Sequence, residues 1–345
     1  MPTPKEQGFY FPAEWVRHEA TWLSYPHNEN SWPGKIASIF PSYHLFIKTL
    51  TEVETVHINV IDEAMETHVL NELRQAGAFM VNVETHRFPT NDAWCRDHGP
   101  AVLLNRNELG RRAVVDWDYN AWGEKYPPYD LDNQIPRRVA EVLNVERFVP
   151  GIVMEGGSVD FNGVGDVLTS RSCLLNPNRN PALKQDDIEK HLIDYYGVDN
   201  IVWLDEGITG DDTDGHVDDM SRFANEDTIV TAVETNRDDE NYAPLQQNLK
   251  TLNRCRLASG KQPNVVELPM PTPVVWDGQR LPASYANFYI CNGLVIFPTY
   301  KCDNDTRAAY VLEECFPERE IVGIDSTDIV WGLGSFHCLS QQIPS

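Results

Sequence analysis

Short apolar runs alternate along the chain with longer segments in which apolar residues recur every three or four positions. The short runs are typical of strands that are covered on both faces, and the longer segments are typical of amphipathic helices. The order strand, helix, strand recurs five times at intervals of roughly 60 residues, which indicates a repeat architecture. The predicted strands are 56–61 and 80–83, 113–117 and 145–149, 167–175 and 201–204, 228–233 and 265–268, and 294–298 and 321–324.

A further predicted strand, 21–25, and a helix, roughly 37–50, precede the first of these units. Their position suggests that they close a ring of units. The pattern therefore predicts an α/β protein, either as repeated units around an axis or as an ordinary α/β fold whose alternation only resembles a repeat.

Polar loops follow the second strand of each unit, and four of the five carry reactive side chains. If the units surround an axis, equivalent loops meet at one mouth. The fourth unit leads instead to 284–288 (SYANF), which contains no ionisable group of this kind. The four reactive loops are 94–100 (WCRDHGP), 154–158 (MEGGS), 211–219 (DDTDGHVDD) and 332–338 (GLGSFHC).

The net charge of the chain indicates which classes of ligand it is able to attract. The 345 residues include 28 Lys and Arg against 52 Asp and Glu, a formal net charge of −24. Such a surface repels phosphate backbones and anionic lipid and attracts cations, so we expect no nucleic-acid or membrane partner. Hydrophobic residues make up 41% of the chain, enough to bury a core, and no apolar run is long enough to span a bilayer.

The seven cysteines form an odd set without paired spacing, which predicts a reduced, cytoplasmic protein. Residues 1–7 are polar and lack a basic region followed by an apolar stretch, so we expect no secretory signal. Most of the cysteines are expected to be small buried hydrophobes, and His337 is expected to be structural because it points away from its neighbour Cys338 in an extended segment. Those assigned to the core are Cys95, Cys173, Cys291 and Cys315, whereas Cys255 and Cys302 remain unassigned.

The loops contain the groups needed for covalent catalysis. Cys338 is the candidate nucleophile, and His216 is the candidate general acid and base because imidazole titrates near neutral pH. Asp218 follows His216 by two residues and shares its face in an extended segment. Asp97 and Glu155 add acceptors, and paired carboxylates grip a planar cation with several donors, which indicates a guanidinium substrate. Each residue alone also fits a structural role, as a core thiol, a surface ion pair or a turn.

The chain resembles the agmatine deiminases, which group with the bacterial-type peptidylarginine deiminases in the guanidino-modifying (pentein) superfamily. The resemblance extends over 11–344, nearly the whole sequence. Its specific segments are 94–97 (WCRD), 120–123 (NAWG), 155–157 (EGG), 174–181 (LLNPNRNP), 215–218 (GHVD) and 337–342 (HCLSQQ). Leu333 departs from the pattern, since related sequences tend to have glycine there, and its bulk is expected to narrow the pocket.

The resemblance implies a fivefold α/β propeller in which residues 1–345 form a single catalytic domain. It also implies that Cys338 is the covalent nucleophile, that His216 is the acid and base, and that further residues bind the substrate. The implied guanidinium ligands are Asp97, Glu155 and Asp218, with Trp94 in the substrate pocket and Trp122 beside it.

The predicted function is hydrolysis of agmatine to N-carbamoylputrescine and ammonia, a step towards polyamines, with no cofactor and no metal. The acidic loop 211–214 is expected to receive the distal amine of agmatine. The alternatives are an arginine or peptidylarginine deiminase that forms citrulline, a metal-dependent hydrolase built on the carboxylates of 211–219, and a non-catalytic ring that binds a partner. The sequence leaves a homo-oligomer open.

Overall fold

The computed structural model describes residues 2–345 as a mixed α/β fold. None of the helices in this range combines the length and the apolar composition needed to cross a membrane. The helices are α1 (Ile36–Thr51), α2 (Glu63–Ala76), α3 (Cys95–His98), α4 (Ala121–Glu124), α5 (Ile135–Leu143), α6 (Arg171–Leu174), α7 (Gln185–Tyr196), α8 (Tyr242–Leu252) and α9 (Asn304–Cys315).

The strands are short, and most are buried. In chain order they are β1 (Phe9–Tyr10), β2 (His18–Ser24), β3 (Thr55–Asn59), β4 (Val83–His86), β5 (Ala101–Asn105), β6 (Arg112–Val115), β7 (Glu146–Phe148), β8 (Val159–Phe161), β9 (Asp166–Ser170), β10 (Asn200–Leu204), β11 (Ser221–Phe223), β12 (Thr228–Val233), β13 (Asn264–Pro269), β14 (Val275–Trp276), β15 (Gln279–Arg280), β16 (Tyr289–Cys291), β17 (Leu294–Thr299), β18 (Glu320–Asp325) and β19 (Ser340–Pro344).

Within residues 2–345 these strands form five sheets of three or four strands and one two-stranded hairpin, β14–β15. Each of the five sheets contains an antiparallel pair followed by a parallel pair. A helix connects the strands of each parallel pair, as parallel pairing requires. The orders are β19-β2-β3-β4, β1-β5-β6-β7, β10-β9-β8, β11-β12-β13 and β16-β17-β18.

Helix α2 illustrates how local sequence sets the elements. The Asp62 side chain accepts a hydrogen bond from the Met65 amide at 2.8 Å and so caps the first turn. Gly77 ends the helix at φ 81°, a left-handed conformation that costs glycine nothing. Between these caps, Val69 and Leu73 are buried against the core formed with α1 and β3. The predicted amphipathic face is therefore the packed face.

The strand–helix–strand units match the predicted pattern, but their ends differ. The predicted strand 80–83 is a 3-10 turn (Met80–Asn82) that leads into β4. The predicted run 167–175 divides into β9 and α6, because the Ser170 hydroxyl accepts a hydrogen bond from the Cys173 amide and starts a helix. Apolar composition alone could not separate a buried strand from a buried helical turn.

The N-terminal strand belongs to the first sheet. β2 pairs in parallel with β3 on one side and antiparallel with β19 on the other, with Leu23 opposite Ser340. A strand from near the N-terminus and the last strand of the chain thus share one sheet.

The sequence pattern missed several short antiparallel strands, and five of these follow the loops: β5, β8, β11, β16 and β19. Each starts within two residues of the end of one of the five loops described above. Segments of three to five residues are too short to show a periodicity of their own. Their position nevertheless fixes the loops, because each of these strands holds the C-terminal end of one loop in a buried sheet.

Candidate active site

Three loops meet at Gly157. A Cβ atom at this glycine would lie 2.6 Å from His216 Nδ1, 2.9 Å from Asp97 Oδ1 and 3.0 Å from Asp218 Oδ2. Asp218 Oδ2 in turn lies 3.6 Å from Cys338 Sγ. All of these side chains are buried. The structure therefore brings the predicted thiol, imidazole and two of the predicted carboxylates to one place.

The Cys338 thiol has an acidic environment. Burial raises the pKa of this thiol well above its ordinary value, and the negative charges of Asp218, Asp219 and Asp97 raise it further. The thiol is consequently protonated when the site contains no cation. A positive group bound between these carboxylates would oppose their effect on the sulfur.

His216 follows a sharp turn at the end of the acidic loop. Its amide donates to Asp211 Oδ2 at 3.1 Å, and its ring Nδ1 lies 3.7 Å from Asp97 Oδ1. Burial lowers the pKa of His216, but the neighbouring groups, Asp97 first, outweigh it and raise that pKa well above the ordinary value. Neither ring nitrogen has a hydrogen-bond partner within residues 2–345. A protonated ring with unused donors is suited to protonate a leaving group.

Asp97 is held in place from two sides. Gly157 donates its amide to Oδ1 at 2.9 Å, and Trp122 donates Nε1 to Oδ2 at 2.9 Å. Burial raises the pKa of Asp97, and the positive charge of His216 opposes that shift. Trp122 reaches the carboxylate from a left-handed backbone conformation, φ 57°, in the short helix α4. The structure thus gives Trp122 a definite contact with the site.

Glu155 is paired with a cation that the sequence analysis did not place in the site. Arg179 donates Nε to Glu155 Oε1 at 2.8 Å and Nη2 to the Thr213 carbonyl at 2.7 Å, and it forms an ion pair with Asp214. Glu155 Oε2 has no hydrogen-bond partner in the described chain. One oxygen of this fully buried carboxylate therefore remains available to another donor. Arg179 lies in the segment 174–181 that carries the family resemblance, which was the sequence indication of its importance.

The expectation that His337 is merely structural is incomplete. His337 Nδ1 lies 2.7 Å from Asp218 Oδ2, and Nε2 lies 2.8 Å from Glu14 Oε2. His337 was expected to point away from Cys338, but its ring and the Cys338 sulfur contact the same oxygen of Asp218, so the histidine holds that carboxylate in place. Glu14 also forms ion pairs with Arg96 at 3.2 Å and Arg222 at 3.1 Å. Asp218 is thus positioned by a buried ionic network, while its Oδ1 has no partner within residues 2–345.

Cys173 is a buried core residue, as predicted, and it also lies beside the site. Its sulfur, a His216 ring nitrogen and a Glu155 oxygen lie within 4.8 Å of one another. The thiol is fully buried, and burial raises its pKa. Cys173 is a packing neighbour of the imidazole rather than a second nucleophile, because the protonated thiol faces no cavity.

Asn287 belongs to the loop 284–288, which carries none of the reactive side chains found in the other four loops, and it contacts the candidate nucleophile. Its Oδ1 accepts from the amides of His337 at 3.1 Å and Cys338 at 3.3 Å, so its Nδ2 must face the other way. That nitrogen donates to Cys338 Sγ at 3.0 Å and to Asp219 Oδ1 at 3.0 Å. The sequence analysis missed Asn287 because an amide is not titratable. The one signal that could have found it is the position of its loop, which follows a predicted unit as the other four loops do.

A cavity of about 290 Å³ opens onto the Cys338 sulfur and onto Asp97, one of the predicted guanidinium ligands. Glu155, His216 and Asp218 are not among its lining residues and lie buried behind it. No Lys or Arg of the described chain is among the lining residues either. These are Asn30, Ser31, Pro33, Asp92, Trp94, Asp97, Trp122, Tyr126, Asp212, Thr213, Gln279, Trp331, Gly332, Leu333, Gly334 and Cys338.

Trp94 and Leu333 shape the part of the cavity next to the sulfur. Trp94 is stacked on Trp32, with ring centroids 5.1 Å apart. Gly334 lies between Trp94 and the nucleophile, because a Cβ there would be 2.7 Å from the indole and 3.1 Å from Cys338 Sγ. Leu333 has φ 70°, a conformation in which glycine is favoured, and its side chain lines the cavity as expected.

The acidic loop does not assemble into one metal-binding group. Asp211 Oδ2 accepts from the His216 amide, Asp214 pairs with Arg179, and Asp219 accepts from Asn287. Because these carboxylates have separate partners, the arrangement does not favour the metal-dependent hydrolase considered from the sequence.

Comparisons with known proteins agree in fold and family. The family model of the Porphyromonas-type peptidyl-arginine deiminases matches residues 10–344. A curated protein of Legionella pneumophila (strain Paris), named "Putative agmatine deiminase", is 36% identical over 99% of this chain and 97% of its own length. The structure is similar to that of the agmatine deiminase of Enterococcus faecalis, with TM-score 0.93, 29% identity and coverage of 100% and 98% of the two chains. It is also similar to a substrate-bound agmatine deiminase of C. jejuni, with TM-score 0.88, 33% identity and coverage of 98% and 96%.

Proposed function

The chain belongs to the Porphyromonas-type peptidyl-arginine deiminase family, and from that premise we propose that it is an agmatine deiminase. The reaction is hydrolysis of the guanidinium group of agmatine to N-carbamoylputrescine with release of ammonia. One observation carries this proposal: buried carboxylate oxygens without partners within residues 2–345, Glu155 Oε2 and Asp218 Oδ1, belong to residues that lie beside a thiol and an imidazole at the inner end of the cavity. Buried polar atoms are nearly always hydrogen-bonded, so this pocket calls for a ligand with several donors.

A guanidinium ion meets that requirement. It is planar, positively charged and presents its N–H donors in a fixed fork that matches carboxylates. We assign Asp97, Glu155 and Asp218 as its ligands, with Trp94 and Trp122 beside them. Asp97 faces the cavity, and the two unpaired oxygens lie deeper, so the cation enters past Asp97 towards the sulfur.

Substrate binding prepares the nucleophile. Asp218 and Asp97, two of the carboxylates that raise the pKa of Cys338 in the free enzyme, are also assigned as ligands of the cation, so binding opposes their effect on the thiol. The thiol then releases its proton to solvent, and the thiolate lies beside the positively charged central carbon. This makes activation dependent on the substrate, and an empty site keeps an unreactive thiol.

The reaction proceeds in two halves through a covalent intermediate. The Cys338 thiolate forms a bond to the guanidinium carbon, and protonated His216 gives its proton to one terminal nitrogen. The carbon–nitrogen bond breaks, ammonia leaves, and an amidino group remains on the sulfur. His216, now neutral, removes a proton from water, and the oxygen attacks the same carbon. The carbon–sulfur bond then breaks to regenerate the thiolate, the remaining hydroxyl proton passes to solvent, and the carbon–oxygen double bond of N-carbamoylputrescine forms. The residues supply the nucleophile, acid and base, so no cofactor takes part.

The cavity favours agmatine over arginine. Free arginine brings a carboxylate that needs a cation, whereas the lining residues from the described chain include no Lys or Arg. Arg96, the cation of the segment 94–97, does not line the cavity and is buried in contacts with Glu14 and Gln342. Among the acidic residues of 211–214, Asp212 is the one that lines the cavity, where Tyr126 donates to it. We assign Asp212 as the acceptor of the distal amine.

Substrate comparison tests this assignment. We expect efficient turnover of agmatine and little turnover of free arginine or of a peptide ending in arginine. In Asp212→Asn, KM for agmatine should rise about tenfold with kcat nearly unchanged, because the lost ion pair acts equally in the ground and transition states. Asp186→Asn, an exposed change on α7, is the matched control. Preferred turnover of the peptide would instead establish the peptidylarginine alternative.

The amide of Asn287 stabilises the thiolate. Because a hydrogen bond to a charged group contributes about 1.5–3 kcal/mol, Asn287→Ala should lower kcat about 10–100-fold. The pH at which iodoacetamide alkylates Cys338 should rise in the same variant. Asn264→Ala, an exposed asparagine of β13, should leave both measurements unchanged. An unaltered kcat and alkylation profile in Asn287→Ala would contradict the role.

The remaining expectations stay proposals. We propose that the five sheets are blades of a fivefold α/β propeller, that residues 1–345 form one catalytic domain, and that the enzyme works in the cytoplasm. The antiparallel strands that follow the five loops support the first, because they put equivalent strands beside the site. The seven unpaired thiols support a reducing compartment.

A further inference from the structure

Three side chains with metal-binding chemistry cluster on the first sheet. His57 on β3 and His86 on β4 lie on adjacent parallel strands, and Glu84 is the direct partner of His57 in the pairing register. One ligand atom from each of the three lies within 4.8 Å of the others. Two other clusters of this kind in the described chain, Glu155 with Cys173 and His216 and Asp218 with Asp219 and Cys338, belong to the active site.

We propose that His57, Glu84 and His86 bind one divalent transition-metal ion of the Zn²⁺ class. Imidazole and carboxylate are ligands that zinc uses, and two histidines with one glutamate form a common set of protein ligands that leaves the fourth position to water.

The distances are close to those that a tetrahedral ion requires. His57 Nδ1 lies 2.8 Å from His86 Nε2 and 3.5 Å from Glu84 Oε2. With Zn–N bonds of about 2.0–2.1 Å, two ligand atoms in a tetrahedral site are roughly 3.3 Å apart. The ion would take the place of the hydrogen shared by the two rings. That proton moves to the far nitrogen of its own ring, so both histidines bind as neutral ligands without a net loss of protons.

The surroundings fix both rings in the geometry needed. The Trp22 indole is stacked on His57 at 4.5 Å and on His86 at 4.7 Å between ring centroids. Glu84 is 59% exposed, which leaves the cluster open to an ion from solvent.

Zinc binding to the full-length protein tests the proposal. Titration with Zn²⁺ should show one more bound ion per chain in the wild type than in His86→Ala, and Glu84→Gln should weaken that binding at least about tenfold. His191→Ala, which removes a half-buried histidine from α7, is the matched control and should bind as the wild type does. Counting the difference between variants separates this ion from any held by the active-site thiols.

Thermal unfolding gives a second readout. At Zn²⁺ about 100-fold above Kd, Tm of the wild type should rise about 4 °C, because an ion that binds only the folded state stabilises it. The rise should disappear in His86→Ala and shrink in Glu84→Gln, whose exposed side chain can be changed without disturbing the core. Equal numbers of bound ions in wild type and His86→Ala, or an equal Tm shift, would overturn the proposal.

Discussion

Cys338→Ala is expected to lose turnover of agmatine by about 10⁴-fold or more, while agmatine still binds. The physical reason is that the guanidinium carbon is a poor electrophile, and the covalent route divides one difficult step into two easier ones. Without the sulfur, water must attack directly. The carboxylates that hold the cation do not depend on the thiol, so affinity measured by calorimetry should persist and would show that the variant is folded.

The covalent intermediate gives the same prediction a direct measurement. Wild-type enzyme quenched during turnover should carry a mass gain of one amidino group on the peptide that contains Cys338. Cys315→Ala, which removes a half-buried thiol from α9, is the control and should keep both turnover and adduct. Substantial activity in Cys338→Ala, or an adduct on another peptide, would refute the proposed nucleophile.

Gly157→Ala is expected to lower kcat about 100-fold or more. Its backbone is not left-handed, so the effect comes from crowding alone: the new methyl group would lie within 3.0 Å of His216, Asp97 and Asp218. Two of these atoms belong to buried carboxylates held by other contacts, and they cannot all yield without displacing the groups that bind the guanidinium and transfer its protons.

Steady-state kinetics and thermal unfolding together test this prediction. Gly260→Ala is the comparison, because the space around Gly260 is open and its φ of 80° makes the substitution strained for backbone reasons only. It should lower Tm without changing kcat, whereas Gly157→Ala should lower kcat in a protein that still unfolds cooperatively. A normal kcat in Gly157→Ala would mean that catalysis does not depend on the close arrangement of His216, Asp97 and Asp218 around this glycine.

The thiol, imidazole and carboxylate residues of the site could be identified from the sequence, because few residue types carry such groups and because they occur in loops at equivalent positions of the repeated units. Cys338, His216, Asp97, Glu155 and Asp218 were all predicted in this way, and the structure brings them together. The family was also identified there, from six motifs spread over nearly the whole chain.

The supporting residues could not be found by the same reasoning. Asn287 has no titratable group, Arg179 resembles any surface cation in the sequence, and Glu14 lies more than 300 residues from His337 in the chain. Their importance depends on contacts between different sheets, and such contacts cannot be predicted from a short segment of the sequence.

The amino-acid sequence by itself determined the strand–helix–strand units and the loops that carry the thiol, the imidazole and the carboxylates. The spacing of apolar residues within one segment shows which of its faces is buried, so helices and strands can be predicted without knowledge of the rest of the chain. The tertiary structure alone decided that β19 joins β2, that short antiparallel strands anchor the loops, and that a buried ionic network positions Asp218. These features arise from pairing between distant segments, whose free energy exists only once the whole chain has folded.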